Sequence, residues 1–359
     1  MDYSQFLKMV PEFYLVLILI AVFAVDFMMH KSEKKHDVLF AVTAGLLVVL
    51  PVRIALLSEP AYAFGGFYVT SEAVNVMKVI LSFGTLIVVI MAQPWLRTAK
   101  HLEGEFYMLI LSTLLGMFFM MSSGNFLLFF LGLETASVPL ACLVAFDKWK
   151  KNSAEGAAKY ILVATFSSGV MLYGLSFVYA ATGSLYFDQV YNGLYTGSYA
   201  VSSSFLPANA LAIMGLVFFF SGLGFKISLV PFHFWTADTY QGAPTPVTGY
   251  LSVISKGAAA ITLAIILLKV FQPLVVYWEY MLDIVIVLSI TIANLFAIRQ
   301  SELKRFMAFS SISQAGYIML AVLGNGPTGV AALTYYVLVY IVANMAVFTV
   351  INVVEHNNG

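Results

Sequence analysis

Four charged residues of this sequence lie within or beside long apolar runs, and their types are suited to carrying protons. They are Glu134, Lys159, Lys226 and Lys256. Removal from water disfavours the charged ammonium of a lysine, whereas a nearby carboxylate favours it. Moving the carboxylate closer or farther away therefore loads or releases a proton. These residue types predict proton transfer through a buried set of lysines and a carboxylate.

The composition indicates what surrounds these charges. The chain has 359 residues, of which 61% are hydrophobic and only 10% are charged, whereas soluble proteins carry about 25% charged residues. The 18 basic and 18 acidic residues give no net charge, so no broad basic field indicates nucleic acid as a partner. The single Cys142 excludes a disulfide framework, a thiolate metal site and an iron–sulfur cluster bound by this chain. We therefore predict an all-α, polytopic transmembrane helical bundle.

A spanning helix needs roughly 20 mostly apolar residues, and apolar runs between polar breaks predict about eleven spans. They lie near 12–29, 38–57, 73–92, 106–122, 126–146 and 156–181, then from about 209, and near 247–270, 281–298, 306–323 and 329–353. The segment 182–208 is rich in Gly, Ser, Tyr and Asn and is predicted to be an external loop. The first run lacks the basic start and small-residue cleavage site of a signal peptide.

Basic residues predict the orientation of the chain, because short cytoplasmic loops carry an excess of Lys and Arg. Loops after odd-numbered spans hold eleven of them, whereas even-numbered exits hold only Arg53 and Lys269 at span edges. The eleven are Lys31, Lys34, Lys35, Arg97, Lys100, Lys148, Lys150, Lys151, Arg299, Lys304 and Arg305. The N-terminus is accordingly predicted to lie outside and the basic loops in the cytoplasm.

Two of the charges are predicted to lie deep in the bilayer. Glu134 is eight residues into span five, or about 12 Å, and Lys256 is nine residues into span eight, or about 13 Å. Both depths are close to the middle of an ~30 Å hydrocarbon core. The alternative is a static ion pair between Glu134 and Lys256, but such pairs rarely add net stability. Proton transfer is therefore the favoured interpretation.

Span seven is predicted to be broken beside Lys226. Pro231 has no N–H group, which frees the carbonyl of Ile227 and interrupts the helix. Irregular backbone at membrane depth implies a hydrated cavity lined by protein. The alternative is a simple kink with a lysine that reaches the interface. His233, just after the break, either caps the chain or carries a proton.

Other polar residues have more than one interpretation. Glu155 and Lys159 are spaced for a favourable helical ion pair, although Lys159 could also extend to the interface. Lys78 and Asp283 lie near span ends and are predicted to be interfacial. Four polar residues of span ten either line a hydrated path or pack helices. These four are Ser310, Ser311, Ser313 and Gln314.

The same residues carry a family resemblance. The stretch from Lys226 through the Pro231 break and His233 to Lys256 resembles the signature of the antiporter-like subunits of respiratory complex I. Further matching stretches lie at 11–12, 105–107, 132–140 and 301–317. The resemblance covers essentially the whole chain.

This resemblance implies a role for each candidate residue. Glu134 and Lys159 correspond to the carboxylate–lysine pair that modulates proton affinity, Lys226 to the lysine of the broken seventh helix, and Lys256 to the central lysine of the eighth. The family's subunits hold no redox centre, so quinone, FMN and iron–sulfur clusters are expected on other subunits. The expected role is that of a non-redox, proton-translocating subunit, driven by quinone reduction elsewhere. It would lie with other membrane-arm subunits in a bacterial plasma membrane.

The chain also departs from this pattern. Members of the family usually have about fourteen helices, including a second broken helix, so residues 1–359 are interpreted as one antiporter-like domain without the last helices. Two alternatives remain. Subunits of multisubunit Na⁺/H⁺ antiporters and of membrane-bound hydrogenases share the stretch between Lys226 and Lys256. A structural scaffold of a membrane arm is the third hypothesis.

Overall fold

The computed structural model describes residues 3–29, 32–98, 102–199, 210–324 and 326–358. Within these residues, eleven helical segments are long and apolar enough to cross a membrane, as predicted. The α-helices are α1 Val10–Met28, α2 Lys35–Leu57, α3 Glu72–Thr98, α4 Glu103–Met121, α5 Phe126–Val144, α6 Lys151–Thr182, α7 Phe187–Tyr199, α8 Ala210–Ile227, α9 Trp235–Gly242, α10 Thr245–Gly249, α11 Lys256–Ile265, α12 Val275–Ile298, α13 Leu303–Leu323 and α14 Pro327–Asn358.

The prediction of a loop over 182–208 is wrong for the part that the structure describes. Residues Phe187–Tyr199 form α7, which follows the left-handed cap of α6 at Gly183. Phe187, Val190 and Leu194 are buried, and their spacing places them on one face of the helix. That face contacts the segment Ile266–Val270. Residues 200–208 of the predicted loop lie outside the described residues.

A small β-hairpin connects α2 to α3. Strand β1, Ala61–Ala63, pairs antiparallel with β2, Tyr68–Thr70. Gly65 and Gly66 supply the positive φ angles, +63° and +89°, that the turn requires. The hairpin also contacts the ends of neighbouring helices, since the N–H of Val69 donates to the carbonyl of Ser122 over 2.9 Å. It therefore lies against the C-terminal end of α4.

The predicted break in span seven is confirmed, and its geometry is that of a helix cap. Ser228 has a φ of 66°, and its N–H donates to the carbonyl of Phe225 over 2.9 Å. The N–H of Leu229 donates to the carbonyl of Gly224 over 2.8 Å. These two bonds are those of a Schellman motif, in which the left-handed residue is usually glycine. The helix thus ends at Ile227, four residues before Pro231, and Lys226 lies in its last turn.

Span eight is irregular as well, which the sequence did not predict. It begins as α10 and continues as a π-helical turn over Tyr250–Ser255, and α11 then begins at Lys256. A second π-helical turn covers Ile266–Val270. Such π-helical turns are rare in proteins, and those that occur are often found at functional sites. The turn sets the direction of Lys256 relative to α10.

The loops that hold the predicted cytoplasmic charges contact one another. Lys35 pairs with Asp26 at 2.9 Å, and Arg97 pairs with Asp37 at 3.3 Å. These contacts join the facing ends of α1, α2 and α3, as alternating spans require. Of the eleven basic residues, Lys31 and Lys100 lie outside the described residues. The direction of insertion stays a prediction.

Candidate functional site

Lys226 is enclosed by protein at the end of α8. Its side chain is 3% exposed, and its Nζ donates to the Oγ of Ser137 over 2.8 Å and to the hydroxyl of Tyr160 over 3.1 Å. The last turn of a helix also favours a cation, because unpaired carbonyl groups lie there. The alternative that Lys226 reaches the interface is wrong. The ammonium is held by hydroxyl groups of α5 and α6.

A small cavity lies beside Lys226, and the hydrogen-bond partner of Glu134 lines it. The carboxylate accepts a hydrogen bond from Ser168 of α6 over 2.5 Å, and Ser137, Ser168 and Lys226 all line a cavity of about 10 Å³. That volume is near the minimum for one water molecule. The cavity therefore has room for about one water molecule beside Lys226 and Ser168.

Lys256 is also buried, and it too is held by a hydroxyl group. It is 1% exposed, its Nζ donates to the Oγ of Ser311 over 2.6 Å, and it lies 5.4 Å from the ring centre of Tyr240. The hydroxyl of Tyr240 is 3.3 Å from the same Oγ. Since Glu134 and Lys256 have these separate partners, the alternative of a static ion pair between them is wrong.

The predicted polar residues of span ten divide into different roles. Ser311 contacts Lys256, whereas Gln314 accepts a hydrogen bond from Tyr336 of α14. Ser313 is buried, and Ser310 is half-buried. Only Ser311 therefore joins the lysine directly.

Aromatic residues fill the space between the two lysines. The rings of Tyr160 and Trp235 lie 5.1 Å apart, and those of Trp235 and Tyr240 lie 6.4 Å apart. The hydroxyl of Tyr160 contacts Lys226, and that of Tyr240 contacts the partner of Lys256. The sequence did not identify either tyrosine, because a tyrosine in an apolar run has no pattern that separates it from helix packing.

Lys159 does not contact Glu134 in this structure, and the implied role of the two residues in modulating proton affinity stays a prediction. The Nζ of Lys159 lies 2.7 Å from Glu155, as the helical spacing predicted, and 2.6 Å from Asp238 of α9. The reason for the missing contact is position along α6. Lys159 precedes Ser168, the partner of Glu134, by nine residues, or about 13 Å of helix.

Asp238 connects three helices at this end of the bundle. One of its oxygens accepts from Lys159 of α6 and the other from Arg305 of α13, each over 2.6 Å. Partial burial raises the pKa of Asp238, but the hydrogen bonds from Lys159 and Arg305 outweigh this effect and hold its pKa below the usual value. The carboxylate is therefore charged and fixes α9 between α6 and α13.

His233 lies in the break between α8 and α9. It is 6% exposed, its ring stacks on Phe234 at 4.5 Å, and its Nδ1 has no hydrogen-bond partner among the described residues. Burial lowers the pKa of His233, against a smaller raising effect from the backbone of Pro231. A neutral imidazole with a free nitrogen is able to accept a proton, so its predicted role stays open.

The prediction that Lys78 is interfacial is wrong. The residue is 0% exposed, and its Nζ lies 2.6 Å from the Oε1 of Glu12. Six residues into α3 is about 9 Å along the helix, and the packing of α1, α4 and the hairpin covers that depth. Asp283 of α12, in contrast, is exposed.

Comparison with known proteins shows relatives over the whole chain. The transmembrane family described as NADH:quinone oxidoreductase/Mrp antiporter matches residues 123–359. NADH-quinone oxidoreductase subunit N of Phocaeicola vulgatus is 53% identical over 100% of this chain and 74% of that protein. The protein of the same name from Azobacteroides pseudotrichonymphae is 46% identical over 100% of this chain and 73% of that protein.

Two solved structures of membrane complexes contain chains similar to this one. A chain of respiratory complex I from Thermus thermophilus is 30% identical with a TM-score of 0.73, covering 95% of this chain and 70% of that chain. A chain of the Mrp complex from Dietzia is 21% identical with a TM-score of 0.79, covering 98% of this chain and 65% of that chain. At this lower identity the likeness shows the fold alone.

Proposed function

The chain belongs to the NADH:quinone oxidoreductase/Mrp antiporter family, in its group of NADH-quinone oxidoreductase N subunits, and from this premise we propose that Lys226 and Lys256 carry the protons. The protein is then a proton-translocating, non-redox membrane subunit of that complex. Quinone, FMN and iron–sulfur clusters belong to other subunits in this proposal, and the other membrane-arm subunits are its partners. Its location is the bacterial plasma membrane, with the basic loops in the cytoplasm.

The observation that carries the proposal is the way in which two buried lysines are held. Lys226 and Lys256 are at most 3% exposed, and their hydrogen-bond partners are the hydroxyl groups of Ser137, Tyr160 and Ser311. Hydroxyl groups accept from an ammonium and donate to a neutral amine. These surroundings therefore accommodate both protonation states, as a proton carrier requires.

Glu134 and Lys159 are proposed to control the proton on Lys226. The carboxylate of Glu134 is bound by Ser168, which lines the cavity beside Lys226. Lys159 is held by Glu155 and Asp238, so a change in these ion pairs would change the charge at this end of α6. A change in the carboxylate's surroundings alters how well Lys226 holds its proton. Quinone reduction elsewhere in the complex supplies the driving change.

The test measures proton transport by the complete complex in sealed membrane vesicles with no added sodium ions. Lys256→Met should abolish transport per assembled complex, whereas Lys269→Met, at the exposed end of the same span, should leave it unchanged. Lys226→Ala and Glu134→Gln should also lose transport while the complex still assembles. Wild-type transport in both Lys256→Met and Lys226→Ala would overturn the proposal.

Sodium dependence separates the proposal from antiporter activity. Transport driven by quinone reduction should persist without sodium ions in the wild-type complex. Transport that instead requires sodium would favour the Na⁺/H⁺ antiporter alternative. An unchanged transport rate in every lysine variant would favour the scaffold hypothesis.

A further inference from the structure

A second buried charge cluster lies outside this proposed route. Glu12 of α1 and Lys78 of α3 pair at 2.6 Å with exposures of 2% and 0%. The hydroxyl of Tyr68 of β2 donates to the other carboxylate oxygen over 2.9 Å, and Nζ of Lys78 lies 3.3 Å from this hydroxyl. These three residues, which we call the outer triad, come from three separate elements.

The rings around Lys78 show that the site accommodates a cation. Nζ lies 5.5 Å from the ring centre of Tyr68 and 5.4 Å from that of Phe118, distances at which an aromatic face attracts a positive charge. A buried ion pair adds little net stability and is often replaced by apolar residues without loss. Helix packing alone therefore does not explain why the triad is charged.

A buried column of hydroxyl groups leads from the outer triad toward the helix that carries Lys256. Ser82 and Thr85 follow Lys78 by four and seven residues on α3, so they share its helix face, and both are 0% exposed. Thr85 lies near the hydroxyl of Tyr250, and its own hydroxyl donates to the carbonyl of Leu81 over 2.8 Å. Thr113 of α4 contacts that hydroxyl over 2.7 Å.

Tyr250 connects this column to the proposed site. It is the first residue of the π-helical turn Tyr250–Ser255, which ends directly before Lys256. Ser252 of the same turn accepts, through its carbonyl, a hydrogen bond from Ser311, the partner of Lys256. The turn also contacts α3, so these polar groups lie between Lys256 and the helix that carries Lys78.

We propose that Glu12, Lys78 and Tyr68 form a second proton-binding centre, connected to Lys256 through the hydroxyl column of Ser82, Thr85, Thr113 and Tyr250. Protons leave or enter the route at the end of the bundle that the hairpin covers. This proposal rests on proton transfer at Lys256. When a proton binds to the carboxylate of Glu12, the ammonium of Lys78 stays charged and is paired with a neutral acid. Release of that proton from Glu12 restores the ion pair.

The first test neutralises the centre without leaving one charge alone. In the double variant Glu12→Gln/Lys78→Met, quinone-linked proton transport per assembled complex should fall at least about threefold. Glu72→Gln, at the exposed start of α3, is the control and should transport as the wild type does. An assembled double variant with wild-type transport would overturn the proposal.

The second test interrupts only the column and leaves the outer triad intact, so it remains decisive if the double variant fails to assemble. Thr85→Val should lower transport about twofold. Thr43→Val is its matched control, because Thr43 of α2 is also 0% exposed and makes the same 2.8 Å bond to the carbonyl four residues earlier. Equal transport in the two valine variants would overturn the proposal.

Lys226→Ala, measured in parallel, separates this inference from the function on which it rests. If Lys226→Ala loses transport while the outer-triad and column variants keep it, the second centre is wrong and the function stands. If Lys226→Ala and Lys256→Met both transport normally, the proposed function itself fails. Loss of transport in all of these variants, with normal transport in both control variants, supports the proposed function and the second proton-binding centre.

Discussion

Buried lysines occur in two regions of this molecule with opposite surroundings. Lys78 lies between regular helices and pairs with the carboxylate of Glu12 at 2.6 Å. Lys226 and Lys256 lie beside a broken helix and a π-helical turn, and hydroxyl groups are their hydrogen-bond partners. The difference teaches that burial alone does not determine which group takes up the proton: beside Lys78 the proposed acceptor is the carboxylate of Glu12, whereas Lys226 and Lys256 are proposed to carry it themselves. The partner of the lysine and the regularity of the backbone beside it distinguish the two regions.

The strongest way to break this comparison is to give Lys226 a fixed carboxylate. Ser137→Asp places an acid where the Oγ now lies 2.8 Å from Nζ, which converts this lysine to the type of Lys78. Transport should fall at least about tenfold, since only 1.4 kcal/mol of added preference for one protonation state changes its occupancy tenfold. Transport by the assembled complex is the measurement. Ser137→Ala should remain within about twofold, and wild-type transport by Ser137→Asp would contradict the comparison.

A large effect on stability is expected when the ion pair is broken on one side only. Glu12→Gln leaves the ammonium of Lys78 buried without its counter-charge, which costs about 3–5 kcal/mol for such pairs. Thermal unfolding of the purified protein should therefore occur at a clearly lower temperature. The double variant with Lys78→Met should recover most of this loss. An unchanged unfolding temperature in Glu12→Gln would show that the pair is not charged.

The regularity of the backbone predicts smaller effects on stability, of opposite sign, when serine is replaced by glycine in the two regions. Ser228→Gly should stabilise the protein by up to about 1 kcal/mol, because the left-handed conformation at φ 66° costs a non-glycine residue about 1–2 kcal/mol. Ser82→Gly, inside regular α3, should destabilise by about 1 kcal/mol. Chemical denaturation of both variants measures the difference. The same sign in both would contradict the assigned cap.

The smallest expected effect on stability is the loss of the ion pairs of Asp238 at low pH. Because its pKa is lowered, its pairing stabilises the fold fully above its usual value of 3.8, and this contribution is lost as the pH falls through the lower folded value. Between pH 5 and pH 3, the unfolding temperature of the wild type should fall by about one or two degrees more than that of Asp238→Asn. The effect is small because the carboxylate is partly exposed and solvent weakens its ion pairs. Equal losses would show that Asp238 is not paired in solution.

The sequence predicts the spans well, since an apolar run of sufficient length has few alternatives to a membrane helix. It also predicts the break near Pro231, because a missing N–H is a local property of the chain. The cap that ends α8 at Ser228 was not predicted, since serine is an unusual residue for that conformation. The π-helical turn before Lys256 was also missed, because its sequence is that of an ordinary apolar helix.

Contacts between distant residues were the harder part of the candidate site. The burial of Lys78 depends on how α1, α4 and the hairpin pack around α3, which no spacing along the chain reveals. The partners of Glu134 and Lys159 depend on their relative heights on α5 and α6. Residue type identified which groups are able to carry a proton, whereas the packing determined which of them meet.

The two oxygens of Asp238 have a mechanical consequence. The break at Ser228 separates α9 from α8, so contacts with α6 and α13 hold α9 in place. Asp238 links α9 to α6 through Lys159 and to α13 through Arg305. A displacement of α13 along the Arg305 contact would therefore act on α9 without passing through α8.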